Sequence, residues 1–261
     1  MIPFKHQTSI LKQRLQKKEL TVGSWLTIPH RSVVEVFAKS GFEWLVIDLE
    51  HSPIGIDQTA ELIAHIQGNG MQALVRVTKN EEVIIKRVLD AGADGIVVPM
   101  IKSKQEAEKA VSFTYYPPLG SRGVGLNRAQ HYGEGFEPYK KWLNENIVII
   151  AQIEHIHAIE NLDEILAVKG IDGTIIGPYD LSGSMGYPGE YLREDVKHAL
   201  ESYIAKTNKA NKPLGYHVIE SEASISAEKV KQGYTFIAFS IDFFFLADRA
   251  KSELKKIKEL K

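Results

Sequence analysis

Eight short runs of apolar, largely β-branched residues recur along the chain, at residues 22–28, 44–50, 72–78, 95–100, 147–154, 173–178, 213–218 and 236–242. Each has strand length and is apolar on both faces, as parallel strands covered on both sides are. Helical periodicity fills the segments between them. A helix is predicted over 57–67, capped by Asp57, with Ala60, Ile63 and Ile66 on one side and Gly68 and Gly70 as the stop. Asn80 is the expected cap of the next, where Ile84, Ile85, Val88 and Leu89 form the apolar stripe and Gly92 ends it. Residues 103–111, 158–167, 193–208, 222–232 and 244–258 behave similarly.

Strand–helix alternation predicts a parallel α/β fold, and eight units in this length match a (β/α)8 TIM barrel. A doubly wound sheet would want a glycine-rich G-x-G-x-x-G turn after its first strand, and none is there. The residues up to Lys18 look like an extra amphipathic helix that closes the bottom of the barrel. The expected organisation is one domain over 1–261, with 1–19 as the capping helix and 20–250 as the barrel. Two connections, 115–146 and 180–192, are longer than a crossover needs, a length usually tied to function.

Composition narrows the chemistry. The 261 residues are 44% hydrophobic and 25% charged, which excludes disordered and collagen-like classes. With 32 basic and 33 acidic residues there is no global electrostatic case for nucleic acid or an anionic membrane. No run is long and apolar enough to span a bilayer, and the N-terminus has no secretory h-region, so a cytoplasmic protein is expected. The absence of cysteine removes thiolate nucleophiles and thiolate metal sites, leaving oxygen or imidazole as metal ligands.

In a barrel the active site sits at the C-terminal ends of the strands. Those ends carry Asp48, Glu50 and His51, then Arg76, Gln152 and Glu154, the run Gly177, Pro178, Tyr179 and Asp180, then His217 and Asp242. Glu154 and Asp180 close consecutive strands, and two carboxylates completed by water and substrate suit a hard octahedral ion. Asp180 also reads as a helix N-cap, and Glu154 as a surface carboxylate. His51 follows Asp48 by three residues, so a carboxylate could orient or charge an imidazole acting as general base. Packing in a βα loop is the other reading of His51. Arg76 in an apolar strand needs an anion, and an anionic substrate is one candidate. His155 and His157 read as loop or helix-start residues, and Asp90 as a solvated helix-end aspartate.

Taken together, GSWLTI, GFEWLVIDLEHSP, LVRV, LDAGADGIVVPM, YYPPLGSRGVGLNRAQ, QIE and GPYDLSGSMG resemble the HpcH/HpaI aldolase/citrate lyase family over about residues 20–250. The resemblance implies a metal-dependent pyruvate aldolase that reversibly cleaves a 4-hydroxy-2-oxo acid to pyruvate and an aldehyde through a metal-stabilised enolate. It implies His51 as the base with Asp48 as its orienting carboxylate, and Arg76 at the keto oxygen. Glu154 and Asp180 become ligands of Mg²⁺, Mn²⁺ or Co²⁺, with Gln152 beside them. Backbone around Gly177, Pro178 and Tyr179 would hold the pyruvate carboxylate. Asp90 resembles an aspartate paired with the catalytic histidine, across a subunit boundary, and the R-G-V-G segment at 122–125 one lent to a neighbour's site. A homo-oligomer is implied, a hexamer built as a trimer of dimers, with the last helix exchanged between partners. Trp25 and His217 are expected to line the aldehyde pocket, and His217, Asn127 and 132–139 depart from the family pattern. A Schiff-base aldolase, a citrate-lyase-β-like acyl-CoA lyase and a non-catalytic binding barrel are the rival readings.

Overall fold

A computed structural model describes residues 9–260 of the chain. Eight strands, β1 (Thr21–Leu26), β2 (Trp44–Asp48), β3 (Gln72–Arg76), β4 (Gly95–Val98), β5 (Val148–Ile153), β6 (Gly173–Ile176), β7 (Leu214–Val218) and β8 (Phe236–Ile241), close a barrel in sequence order. Every neighbouring pair is parallel, including β8 back to β1. The (β/α)8 fold read from the sequence is therefore present. Most strands stop short of the apolar runs, because the chain leaves the ladder at its C-terminal end to form the mouth.

The helices are α1 (Ile10–Gln16), α2 (Arg31–Lys39), α3 (Ile56–Gly68), α4 (Glu82–Asp90), α5 (Lys104–Thr114), α6 (Phe136–Asn146), α7 (Ile156–Glu160), α8 (Leu162–Leu166), α9 (Pro178–Ser184), α10 (Glu194–Lys209), α11 (Ala223–Lys231) and α12 (Asp242–Lys258). Several details differ from the sequence reading. Asp57 is not the cap of α3: Gly55 holds that position, its N–H bonded to the Gln58 side chain, and Asp57 sits in the first turn. Asn80 does not cap α4 either; its amide donates to the Glu106 carbonyl and Glu81 precedes the helix. The predicted helix over 158–167 is two, broken at Asn161, whose side chain bonds the Lys102 carbonyl. The pattern gave no helix after the first strand, yet α2 forms there, capped by the His30 ring and burying Val34 and Phe37.

The N-terminal helix does plug the barrel, over the described part of the predicted segment, residues 1–8 lying outside it. Leu11 and Leu15 pack into the interior cluster with Trp44 and Phe236, whose rings stack at 4.3 Å. Lys12 ties the plug down, donating to the Ile147 carbonyl and pairing with Asp172 at 3.1 Å. Above this floor the inward residues include Val46, Leu74, Val97, Ile150, Ile175 and Ala238. Strand side chains alternate, so the next inward positions on β2, β3 and β5 are Asp48, Arg76 and Gln152. The apolar interior thus ends in a polar layer at the mouth, where a barrel carries its chemistry. A second, larger core lies between the strands and the surrounding helices.

Candidate active site

Asp48 and Arg76 are register partners on adjacent strands. The guanidinium donates from Nε and Nη2 to the two carboxylate oxygens at 2.8 and 2.7 Å, a bidentate fork. Its plane lies over the Trp25 indole, 4.3 Å from the ring centroid, and Nη1 stands 3.3 Å from Glu50. Asp48 is only 3% exposed, and Oδ1 also accepts the backbone N–H groups of Glu50 and His51. Burial alone would raise its pKa; the Arg76 hydrogen bonds and charge, with the two backbone donors, bring it below the usual carboxylate value.

Across the mouth, Glu154 is buried at the end of β5. Its Oε1 accepts the Met100 N–H at 2.7 Å and its Oε2 the Gln152 amide. Met100 holds a left-handed backbone, φ 55°, at the turn that aims this N–H. Burial first, then the charges of Glu50 and Asp180, outweigh these donors and push the Glu154 pKa up to about 7. Burial and neighbouring Asp48 and Asp180 likewise raise Glu50, against Arg76. Asp180 lies in the first turn of α9, exposed to the mouth.

This donor set fits a hard divalent cation. Two carboxylates, Glu154 and Asp180, are close enough to raise the proton affinity of the buried one, as a site that lacks a counter-charge does. The buried Gln152 Oε1 has no hydrogen-bond partner. Gly177 leaves the Glu154 carboxylate open, since a Cβ there would stand 3.5 Å from Oε2. Among the described residues no three His, Asp or Glu side chains form a metal cage, so the remaining ligand positions would fall to water and substrate.

Most residues singled out in the sequence meet in one cleft, lined by Trp25, Arg76, Gln152, Gly177, Pro178, Tyr179, Asp180 and His217. His51 is not among the lining residues; it lies three residues past the end of β2 with a 71% exposed side chain. Asp48 does not orient that imidazole: it is committed to Arg76 and holds only the His51 backbone, and Glu50 is the carboxylate beside the ring, at 3.9 Å. Asp90 is not brought to His51 within one chain. It ends α4 at the opposite face of the barrel, paired with Arg122 and bonded by Gln130. Arg122 is itself 1% exposed, donates to Tyr139 and lies over Tyr116, so the side chain of this segment serves its own fold. Its neighbours Val124 and Leu126 are the exposed part. His155 caps α7, as a helix-start residue does.

Two residues of the site had no role assigned from sequence. Glu50 lies two residues past Asp48, just beyond the end of β2, among the polar residues that mark the strand end. Met100 acts through its backbone, for which the side chain gives no signal.

The sequence pattern of the HpcH/HpaI aldolase/citrate lyase family matches residues 21–248. A 2-keto-3-deoxy-L-rhamnonate aldolase of Escherichia coli O17:K52:H18 is 34% identical over 253 residues, covering 96% of this chain and 94% of that protein. Among solved structures, a HpcH/HpaI aldolase/citrate lyase family protein from Burkholderia cenocepacia J2315 superimposes with a TM-score of 0.91 at 30% identity, covering 96% of this chain and all of that one. A HpcH/HpaI aldolase from Desulfitobacterium hafniense DCB-2 gives 0.89 at 29% identity, covering 97% and 98%.

Proposed function

The chain belongs to the HpcH/HpaI aldolase/citrate lyase family and is a metal-dependent aldolase, a carbon–carbon lyase, and from that premise we propose how its own residues split a 4-hydroxy-2-oxo acid into pyruvate and an aldehyde. The observation that carries the reading is the gathering of opposite charge at one mouth: Arg76 and Asp180 line the same small cleft, and Asp180 acts with Glu50 on the buried Glu154 carboxyl beside it. A small dianionic transition state needs positive charge beyond that of Arg76, and the carboxylates supply it only with a cation.

Glu154 and Asp180 hold the ion, taken here as Mg²⁺, Mn²⁺ or Co²⁺, with Gln152 beside them. When bound, it supplies Lewis-acid polarisation of the 2-oxo acid. Backbone groups of Gly177, Pro178 and Tyr179 face the substrate carboxylate. His51 Nε2 takes the proton of the C4 hydroxyl, directly or through water, as the C3–C4 bond breaks and C4 becomes the aldehyde carbonyl. The electron pair passes to C3 and the 2-oxo oxygen, where Arg76 stabilises the growing negative charge. Protonation at C3 then completes pyruvate, and the reverse sequence makes the bond. Asp48 keeps the arginine in place. Among the described residues no lysine, Lys79 and Lys102 included, lines the cleft to offer an amine for a Schiff base. Pyruvate released from a panel of 4-hydroxy-2-oxo acids, followed by its reduction with lactate dehydrogenase, tests the activity. Release of a thioester product from acyl-CoA substrates instead would overturn it.

The Glu154 pKa sets a pH dependence for metal binding. Below about pH 7 the metal-free carboxyl holds a proton that an incoming ion must displace. Metal affinity should therefore fall about tenfold for each pH unit below 7 and flatten above it. Calorimetric titration of the metal-free protein with Mn²⁺ across this range measures the slope. A pH-independent affinity would show that the Glu154 carboxyl is already ionised across this range.

The same reading includes a homo-oligomer. Phe243, Leu246, Leu254 and Ile257 form an exposed apolar stripe on α12, and a groove of about 830 Å³ opens between α12 and α2, walled by Val33, Phe37, Phe42 and Phe245. The apolar stripe of a second copy's last helix is the occupant this reading assigns to it. Any action of Asp90 on His51 also requires such a partner. Light scattering should give a mass several times that of the chain, and Leu246→Asp should lower it. A monomeric wild type would remove the exchange.

A further inference from the structure

The cleft has two walls of different chemistry. Arg76, Gln152 and the stretch from Gly177 to Asp180, on β3, β5 and β6, are taken up by the 2-oxo acid in the reading above, on which this inference rests. Trp25 on β1, with Arg76 over its ring, and His217 and Ile219 at the end of β7 line the rest of the cleft and are left for the aldehyde half. The indole and imidazole meet at 5.0 Å between centroids, tilted by 46°. Trp25 Nε1 and His217 Nε2 are both enclosed and both lack a hydrogen-bond partner. Buried nitrogens of this kind carry a desolvation cost that a partner removes.

His217 is held neutral: burial first, then Arg76, push its pKa down to about 3 against Asp48. A neutral imidazole offers one donor and one acceptor, while an indole only donates. A hydroxyl, which does both, matches the pair; an alkyl group leaves both nitrogens unpaired. A carboxylate is poorly served, because Arg76 is the one cation among the described residues that line the cleft, and it is already shared between Asp48, Glu50 and the 2-oxo oxygen.

We propose that His217, with Trp25, is the specificity-determining pair for the aldehyde half, selecting short hydroxylated aldehydes over alkyl aldehydes and over aldehydes that carry a carboxylate. Discrimination by a site built to hydrogen-bond a hydroxyl is strong, because the analogue without it leaves buried polar groups unpaired.

The test is metal-loaded aldol addition of pyruvate to glycolaldehyde, to propanal, which has the same number of heavy atoms, and to succinic semialdehyde. The wild type should favour glycolaldehyde over propanal by at least about tenfold in kcat/KM. His217→Leu should bring that ratio to within about twofold of unity, and His217→Gln, which keeps a donor and an acceptor, should retain most of it. If His217→Leu fails to fold, Trp25→Phe decides, since it removes the indole donor while keeping an aromatic ring, and should lower the ratio severalfold. A wild type that prefers succinic semialdehyde, or a ratio that neither substitution moves, overturns the proposal. Exchange of the pyruvate methyl protons in D₂O without aldehyde separates the two levels. Exchange with an unmoved ratio removes only the role of His217; no exchange in the wild type removes the aldolase reading and this inference with it.

Discussion

Stripping the divalent metal with EDTA is expected to take pyruvate release below detection, a loss of about 10³-fold or more, and Mg²⁺, Mn²⁺ or Co²⁺ should restore it. The size follows from the wall that the ion serves. Glu154 is buried, its pKa is pushed up to about 7, and Asp180 and Glu50 add negative charge around it. Without a cation this wall repels an anionic substrate. Glu154→Gln should reproduce the loss while keeping an acceptor for the Met100 N–H. Its effect on the metal-free fold has the opposite sign. A carboxyl whose folded pKa is raised loses stability as pH rises through that value, so the Gln variant should resist denaturant better than the metal-free wild type at pH 8. Denaturant melts of both proteins at pH 5 and pH 8 check this. Activity that survives chelation, or borohydride trapping of pyruvate on the chain, would replace the metal mechanism with an amine one.

The second large effect is at Arg76. Arg76→Ala should lower kcat/KM by about 10³-fold, the scale on which single donors to a developing oxyanion act. His51→Ala should cost nearer 10²-fold, because its exposed ring leaves room for water to carry the proton. The arginine variant should also be less stable. Asp48 is 3% exposed, and removing its partner leaves a buried charge, a change typically worth about 3–5 kcal/mol. The pH dependence then reverses. In the wild type the depressed Asp48 pKa contributes stability above the ordinary carboxyl pKa that is lost as pH falls through the depressed one. In Arg76→Ala burial, the largest influence on Asp48, is opposed only by the backbone donors of Glu50 and His51, so the variant should weaken as pH rises from 5 to 8. Arg76→Lys keeps the charge but loses the fork, and should fall between. Unfolding free energies at the two pH values, beside steady-state rates, separate the catalytic loss from the structural one. An alanine variant with full activity would move the enolate site elsewhere.

Much of this was legible along the chain because it is periodic. Strands buried on both faces must be apolar throughout, so the eight runs stand out, and polar residues at their ends mark the mouth. Helix caps were less legible. Asp57 and Asn80 have capping chemistry, but Gly55 and Glu81 take the positions, since the entry angle of each helix is set by its strand and not by the best available side chain.

Pairing across space was not in the sequence at all. Three residues separate Asp48 from His51 and 28 separate it from Arg76, yet the β2–β3 register places the arginine beside it. Asp90 likewise finds Arg122, 32 residues on, at the far face of the barrel. By itself the sequence determined the fold class, the face that carries the chemistry and the residue types gathered there, because those follow from periodicity and from strand ends. Only the tertiary structure decided which carboxylate is spent on the arginine, which is left to bind a cation, and that His217 is neutral against Trp25. Those outcomes depend on burial and on neighbours brought together from different strands, and charge states follow from them rather than from residue identity.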